Sequence, residues 1–223
     1  MLPIASYLDS TNLQPDAQWA DIARLCQEAV FYQMAAVCVH PYWVNRVHSL
    51  LMDTPVRVAT VIGFPLGANV LETKLCEAHQ ALQDGAHELD MVINLAALKA
   101  GDYHLLEKEV RTLVSLKVDH PLVLKVIVET ALLTPPQLAT ITRLLGEWGA
   151  DYIKTSTGFA ARGASLEDLH IIGANRNSSL KIKASGGIRT RGFALELIEA
   201  GADRIGTSSA ISLLREVEDD SRD

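Results

Sequence analysis

Residues 149–156 read Gly-Ala-Asp-Tyr-Ile-Lys-Thr-Ser, and residues 201–208 read Gly-Ala-Asp-Arg-Ile-Gly-Thr-Ser. A weaker third copy occurs at Gly85-Ala86-His87. In each copy the glycine follows a segment of helical period, where glycine readily takes the left-handed conformation, and a short apolar strand comes next. The repeat therefore indicates a helix-to-strand junction that the chain uses more than once.

Working outward from this junction, short segments rich in Val and Ile alternate with helical patterns, as expected for βα units and a parallel sheet. The predicted strands are 5–9, 35–40, 57–63, 88–94, 122–129, 152–156, 181–185 and 204–207. The predicted helices are 16–33, 71–84, 103–117, 135–147, 166–175 and 190–200. Eight units predict an α/β fold, a closed (β/α)8 TIM barrel in a single domain over residues 1–223. An open doubly wound sheet is the alternative, but the chain has neither a G-x-G-x-x-G after its first strand nor a P-loop.

Composition narrows the function classes. The 223 residues are 48% hydrophobic, enough for one barrel with a large core. The net charge of −7, without a basic run that carries interleaved aromatic residues, argues against a nucleic-acid partner. Because no signal peptide or membrane-length apolar run is found, we expect a cytoplasmic protein with no membrane partner. Residues 216–223 are predicted to form a frayed acidic tail.

Cysteine and histidine usage predicts no metal site. Cys26, Cys38 and Cys76 are odd in number and form no C-x-x-C pair, which argues against a disulfide framework or a zinc site. The seven histidines show no ligand spacing such as H-E-x-x-H.

Lys154 and Lys183, each inside a predicted strand, indicate a catalytic role. A lysine is rarely buried without a partner, because desolvating an ammonium is costly. In a barrel of this type the active site lies at the carboxyl ends of the strands. Polar residues in or just beyond the second half of a predicted strand are Asp9, Cys38, Asp90, Asn94, Lys125, Glu129, Lys154, Thr155, Lys183 and Ser185.

Lys154 and Lys183 together suit an amine nucleophile. A lysine with a pKa near 10.4 is less than ~0.1% neutral at pH 7, so it must be activated. A second ammonium about 5 Å away costs roughly 3 kcal/mol at an effective dielectric of about 20, which lowers the first pKa by about 2.4. Asp90 could relay protons through a water. The set favours Schiff-base chemistry. The alternative is a structural ion-pair network that ties the lysines to Asp90 and Glu129.

Glycines and hydroxyls after the last three strands predict a phosphate site. Backbone N–H groups can approach an anion at such loops, and barrels often bind phosphate after strands seven and eight. The residues concerned are Gly158, Gly186, Gly187, Gly206, Thr207, Ser208 and Ser209. Arg162 and Arg189 are each either part of this loop cluster or solvated.

Seven motifs, in this order and spacing, carry a resemblance to a known family. They are residues 8–15 (LDSTNLQP), 60–67 (TVIGFPLG), 88–94 (ELDMVIN), 125–130 (KVIVET), 154–159 (KTSTGF), 183–189 (KASGGIR) and 206–209 (GTSS). On these motifs the chain resembles the deoxyribose-phosphate aldolases, class I aldolases on a barrel. The resemblance spans nearly the whole chain.

The resemblance implies roles for individual residues. Lys154 would form the imine, Lys183 would lower its pKa, and Asp90 would work with a water as acid and base. Phosphate binding is implied for Gly158, Gly186, Gly187, Gly206, Ser208 and Ser209. Substrate binding is implied for Asp9, Thr11, Cys38 and Lys125. A packed thiol is the alternative for Cys38.

The implied reaction is the reversible cleavage of 2-deoxy-D-ribose 5-phosphate to D-glyceraldehyde 3-phosphate and acetaldehyde, in deoxyribose phosphate catabolism. It needs no cofactor, and relatives are often homodimers or larger homo-oligomers. Ser10 and Gln14 replace a histidine and a lysine of many relatives, and no tyrosine follows Tyr152 to serve in proton transfer. Alternatives are an aldolase for another phosphorylated aldehyde, a phosphosugar isomerase or lyase, and a non-catalytic binding barrel.

Overall fold

The computed structural model describes residues 3–219, with side chains through Arg215. Within this range, eight strands form the sheet: β1 (Leu8–Asn12), β2 (Ala36–Val39), β3 (Arg57–Ile62), β4 (Glu88–Val92), β5 (Val123–Ile127), β6 (Tyr152–Lys154), β7 (Lys181–Ser185) and β8 (Arg204–Thr207). The α-helices are α1 (Trp19–Phe31), α2 (Val44–Leu51), α3 (Leu71–Gln83), α4 (Leu95–Ala100), α5 (Tyr103–Ser115), α6 (Pro135–Trp148), α7 (Leu166–Asn175), α8 (Arg191–Glu199) and α9 (Ala210–Asp219). None of these helices is long and apolar enough to cross a membrane.

The strands close into a parallel barrel in sequence order. β8 returns to β1, with Leu8 paired to Ile205 and Asp9 to Gly206. The predicted (β/α)8 barrel is therefore confirmed as one domain, and the open sheet is excluded. Parallel strands in register place all their carboxyl ends on one face, which is where the polar residues of the sequence were expected to meet.

Several element bounds differ from the prediction. β1 begins at Leu8 rather than at residue 5, because Ile4–Tyr7 form a 3-10 helix ahead of it. Most predicted strands run one or two residues too far at the carboxyl end, where the chain already leaves the sheet. Three helices, α2, α4 and α9, were not predicted. α9 continues through Asp219, and residues 220–223 of the predicted acidic tail lie outside the described residues.

The repeated junction behaves as predicted. Gly149 ends α6 with φ 88°, and Gly85 and Gly201 have φ 96° and 103° in the other two copies. The third residue of each copy has a further common task, which is to accept a hydrogen bond from a backbone N–H of the preceding strand. The pairs are Asp151 Oδ2 with Leu124 N (2.7 Å), Asp203 Oδ2 with Ile182 N (2.9 Å) and His87 Nδ1 with Val58 N (3.0 Å). The repeat thus fixes the start of β4, β6 and β8 against the strand before each of them.

Burial divides the barrel into two kinds of core. Leu89, Val126, Ile153 and Ile205 are fully buried in the large aliphatic cluster that the strands form with the surrounding helices. The inside of the barrel instead carries buried charged side chains toward the carboxyl ends of the strands. Burying charged side chains costs desolvation free energy, so each of these charges needs a partner of opposite charge.

Outside the barrel, a buried ion pair joins α3 and α5. Lys74 Nζ is 2.5 Å from Glu109 Oε1 and donates to the Val92 carbonyl at 2.8 Å, while Glu109 Oε2 accepts from Asn94 N at 2.9 Å. Lys74 is fully buried. The pair therefore holds the carboxyl end of β4, two residues beyond Asp90.

Replacing Lys74 with methionine is expected to destabilise the fold by about 3–5 kcal/mol, because Glu109 is left as a buried, uncompensated charge. The double variant Lys74→Met/Glu109→Leu should recover most of that loss, since a paired apolar replacement leaves no charge behind. Urea unfolding of the three proteins measures both free energies. A single variant as stable as the wild type, or a double variant worse than the single, contradicts this account.

Candidate active site

Strand register brings the predicted lysines and aspartate together inside the barrel. Asp90 on β4 is paired with Lys125 on β5, and Lys154 at the end of β6 is paired with Lys183 on β7. Alternation along each strand turns all four side chains inward. Asp90, Lys125 and Lys183 have no exposed surface, and Lys154 is 3% exposed.

Asp90 is the centre of the group. Its Oδ2 atom is 2.7 Å from Lys154 Nζ and 2.8 Å from Lys183 Nζ, and its Oδ1 atom is 2.8 Å from Lys125 Nζ. Because both Lys154 and Lys183 contact the same oxygen, their amino groups are immediate neighbours. One carboxylate thus holds three lysines.

Further charges lie below this centre. Lys183 Nζ also contacts Asp9, and Lys125 Nζ is 2.5 Å from Glu88 Oε2. Arg204 Nη1 is 2.6 Å from Asp9 Oδ1 and 3.5 Å from Glu88 Oε2. We refer to all seven residues as the buried charge layer: Asp9, Glu88, Asp90, Lys125, Lys154, Lys183 and Arg204. The layer contains three carboxylates and four cationic groups.

The pKa values within the layer move in different directions. Burial lowers the pKa of Lys154, and the Lys183 ammonium lowers it further against the opposing attraction of Asp90. Burial also opposes the charge of Lys183, but the attraction of Asp9 and Asp90 outweighs it and the pKa of Lys183 is raised. The pKa of Lys125 is raised in the same way by Asp90 and Glu88, despite burial. Although burial favours the neutral acid, the three lysines hold the pKa of Asp90 well below its usual range.

A cavity of about 440 Å³ opens above the layer at the carboxyl ends of the strands. Lys154 is the member of the layer that lines it. The rest of the wall comes from the last residues of β1, β7 and β8, from the loops after β1, β6, β7 and β8, and from one side of α1. These wall residues are Thr11, Asn12, Leu13, Gln14, Asp21, Arg24, Leu25, Glu28, Thr157, Gly158, Phe159, Ser185, Gly186, Gly187, Ile188, Arg189, Gly206, Thr207 and Ser208.

Most of the predicted phosphate residues lie in this wall. Gly158, Gly186, Gly187, Gly206 and Ser208 line the cavity. Ser209 is not among the lining residues; its backbone N donates to Thr207 Oγ1 at 2.9 Å.

Two of the glycine sites show why a side chain is absent. Gly187 has φ 74°, which a residue with a side chain rarely adopts. A Cβ on Gly206 would come within 3.0 Å of Lys183 Cε. Gly206 therefore makes room for the Lys183 side chain as well as forming part of the cavity wall.

The four predicted substrate-binding residues lie in three places. Thr11 lines the cavity. Asp9 and Lys125 lie in the charge layer below it, and Cys38 is fully buried with Leu13 in a small apolar cluster. Burial raises the pKa of the Cys38 thiol, so this side chain is neutral. Direct contact of these side chains with a substrate stays a prediction.

Three of the remaining polar residues, Arg162, Glu129 and Asn94, have defined partners. Arg162 contacts Asp168 at the start of α7 with a 2.5 Å ion pair and donates to the Thr130 carbonyl at 3.2 Å, so it ties the loop after β6 to its neighbours. The alternative that Glu129 pairs with the lysines is not seen in the part of the chain that the structure describes. Its Oε2 atom instead accepts hydrogen bonds from Thr157. Asn94 caps α4 through Ala97 N. Arg189 lines the cavity.

Sequence reasoning missed Glu88 and Arg204, because it looked only at the second half of each strand. Strand alternation could have found Glu88, which lies two residues before Asp90 and therefore shares its inward face. Arg204 stands at the first position of β8, where an arginine is unremarkable in sequence. The α1 wall of the cavity, including Arg24, had no signal in the sequence.

Comparison with known proteins gives an aldolase family for nearly the whole chain. The family model of the DeoC/LacD family aldolases matches residues 5–216. A deoxyribose-phosphate aldolase from Caldicellulosiruptor saccharolyticus is 46% identical over 214 residues, which cover 96% of this chain and 97% of that protein. The solved structure of QR15, an aldolase, superposes with a TM-score of 0.92 at 41% identity and covers 99% of this chain and 98% of the other. A tetrameric deoxyribose phosphate aldolase from Aeropyrum pernix gives a TM-score of 0.89 at 35% identity, over 96% and 91% of the two chains. The chain belongs to the DeoC/LacD family of aldolases.

Proposed function

We propose that this chain is a class I aldolase whose Lys154 forms a Schiff base with 2-deoxy-D-ribose 5-phosphate and which cleaves it reversibly. The observation that carries the proposal is the charge count of the buried layer. Three carboxylates face four cationic groups, so one cation has no carboxylate of its own. Lys154 lines the cavity and has a lowered pKa, so it is the group that gives up its proton. A neutral amine beside a cavity is a nucleophile for a carbonyl.

The reaction follows from that amine. Lys154 Nζ attacks C1 of the open-chain aldehyde, and loss of water from the carbinolamine leaves an iminium ion. Removal of the proton from the C3 hydroxyl breaks the C2–C3 bond, whose electron pair moves toward the iminium nitrogen. D-glyceraldehyde 3-phosphate leaves and an enamine remains. Protonation at C2 and hydrolysis then release acetaldehyde and restore the amine.

Asp90 is proposed to move the protons together with a water. Its carboxylate contacts the Lys154 amine directly, so it lies beside the carbinolamine hydroxyl that must be protonated before it leaves. Lys183, with its raised pKa, keeps its proton and stays a fixed positive charge next to Lys154. This arrangement would let the enzyme work without the C-terminal tyrosine of some relatives.

The phosphate is proposed to bind at the cavity wall that the loops after β6, β7 and β8 form. Gly158, Gly186, Gly187, Gly206 and Ser208 line the cavity, and Ser209 donates its backbone N–H to Thr207, another lining residue. The loops after β7 and β8 lead into the first turns of α8 and α9, whose N-termini favour an anion. Arg189 adds a positive side chain to the cavity wall. A phosphorylated sugar would then reach from these loops to Lys154.

Borohydride trapping with peptide mass spectrometry tests the proposal. Incubation with 2-deoxyribose 5-phosphate or acetaldehyde followed by reduction should leave one stable adduct, on Lys154. The same treatment without an aldehyde is the blank. An adduct confined to another lysine contradicts the assigned nucleophile. Turnover without any adduct would instead favour an isomerase or lyase that uses the same phosphate site.

Assembly and location complete the proposal. We propose a homodimer or larger homo-oligomer, supported by the tetrameric Aeropyrum pernix relative and by exposed apolar side chains such as Phe31 and Val118, which are 78% and 85% exposed. Light scattering coupled to size exclusion would give the number of subunits.

We also propose a cytoplasmic location, where the three free cysteines stay reduced.

A further inference from the structure

Glu129 leaves β5 in a conformation that its residue type disfavours. Its φ and ψ are 51° and 70°, in the left-handed region, where glycine is the unstrained choice. The side chain is also buried, with 3% of its surface exposed. A strained, buried glutamate persists only where the surrounding structure holds it, and such residues cluster at functional sites. The carboxylate therefore needs an explanation.

Among the described residues, the hydrogen bonds of that carboxylate go to the loop after β6. Glu129 Oε2 accepts hydrogen bonds from Thr157 N at 3.1 Å and from Thr157 Oγ1 at 2.5 Å. Thr157 Oγ1 in turn accepts from Phe159 N at 3.1 Å. Glu129 Oε1 is buried and has no hydrogen-bond partner among the described residues. The side chain of Glu129 thus holds Thr157 through two hydrogen bonds, one from its backbone N–H and one from its hydroxyl.

These hydrogen bonds hold part of the cavity wall in place. Thr157, Gly158 and Phe159 all line it. The backbone N–H groups on both sides of Gly158 are tied down, one to Glu129 and the other to the Thr157 hydroxyl that Glu129 holds. With both neighbours anchored, the orientation of the Gly158 peptide is fixed. Gly158 has φ 90°, so its backbone would otherwise be free to move.

We infer that Glu129 is a positioning residue for the phosphate end of the substrate. It acts through Thr157 by holding the Gly158 peptide in the orientation that receives the phosphate. The inference rests on the proposed function, because it assumes that Gly158 belongs to a phosphate site. It assigns Glu129 no contact with the substrate and no part in imine formation.

The decisive variant is Glu129→Gly, because glycine accepts the left-handed backbone without strain and removes the side chain that holds Thr157. Loss of hydrogen bonds to a charged group is expected to raise the KM for 2-deoxyribose 5-phosphate and the inhibition constant of inorganic phosphate roughly tenfold or more. Turnover of unphosphorylated 2-deoxyribose should stay within about twofold of the wild type, since Lys154 is untouched. Thermal unfolding verifies that the variant is folded.

Glu129→Gln is the matched control. Its amide oxygen has the same reach and can still accept from Thr157, so the KM for the phosphorylated sugar should stay within about threefold of the wild type. An equal loss with both sugars in Glu129→Gly would overturn the inference, because the carboxylate would then serve the amine. An unchanged KM and inhibition constant would overturn it as well.

Calorimetry with inorganic phosphate separates this inference from the proposed function. A wild-type protein that binds phosphate but cleaves neither sugar would refute the aldolase proposal. Weaker phosphate binding by Glu129→Gly would still support the positioning role in that case. Equal phosphate binding by the two proteins, or no binding by either, would refute the positioning role.

Discussion

Replacing Lys154 with alanine is expected to lower kcat for cleavage of 2-deoxyribose 5-phosphate on the order of 10⁴-fold or more, because the covalent route is lost with its nucleophile. The remaining six members of the buried charge layer would then be balanced, three carboxylates against three cationic groups. The fold should therefore survive the change. A coupled assay for glyceraldehyde 3-phosphate measures the loss, and thermal unfolding measures the stability.

Lys154→Arg is the companion variant. It keeps a positive charge beside Asp90 but has no amine that can become neutral, because guanidinium stays protonated. It should be as inactive as Lys154→Ala and leave no borohydride adduct. Lys181→Ala is the matched control on a lysine, since this side chain is exposed at the start of β7. Substantial activity in Lys154→Arg would show that the amine is not the nucleophile.

Replacing Lys183 with methionine is expected to lower activity at pH 7 roughly 100-fold, because the like charge that shares Asp90 Oδ2 with Lys154 is removed. Without Lys183, three carboxylates face three cationic groups, so the Lys154 ammonium gains a carboxylate partner of its own. The pKa of Lys154 then rises toward its ordinary value. Since attack requires the neutral amine, the rise of kcat/KM with pH should move to higher pH, and activity should recover in alkaline buffer. The pH profile of kcat/KM, measured beside the wild type, checks this shift.

Lys183→Arg separates charge from other roles of the side chain. It restores a positive group near Asp90 and Asp9, so its profile should move back toward that of the wild type. Activity of Lys183→Met that stays low at every pH would contradict the account. Lys183 would then be needed for proton transfer rather than for lowering the pKa of its neighbour.

The architecture could be predicted because its signals are local. Each Gly-Ala-Asp junction shows the end of one helix and the start of the next strand, and eight apolar segments at regular spacing leave few folds other than a closed barrel. The 3-10 helix Ile4–Tyr7 could not be separated from β1, because both read as short apolar runs. α4 has six residues, too few to show a helical period.

The site could be predicted in outline because a lysine in a buried strand is unusual on energetic grounds. Lys154, Lys183 and Asp90 followed from that rule together with the family motifs. What could not be predicted is the pairing, since it depends on strand register around the barrel. Register is the reason that Lys125 shares Asp90 and that Arg204 reaches Asp9 from the neighbouring strand. Charge balance is a property of the closed barrel, and no single segment contains it.

The shortest strand has a consequence for redesign. β6 consists of three residues and ends at Lys154, so the amine that we propose as the nucleophile is fixed by the sheet, while the loop that contributes to the cavity wall begins at the next residue. Residues 159–161 lie in that loop, outside the helices and strands, and Phe159 is 57% exposed. Substitution libraries at these positions would sample new acceptor aldehydes while the carbon–carbon bond chemistry stays unchanged. The fold thus places the bond-breaking chemistry on a strand and the choice of substrate on a loop.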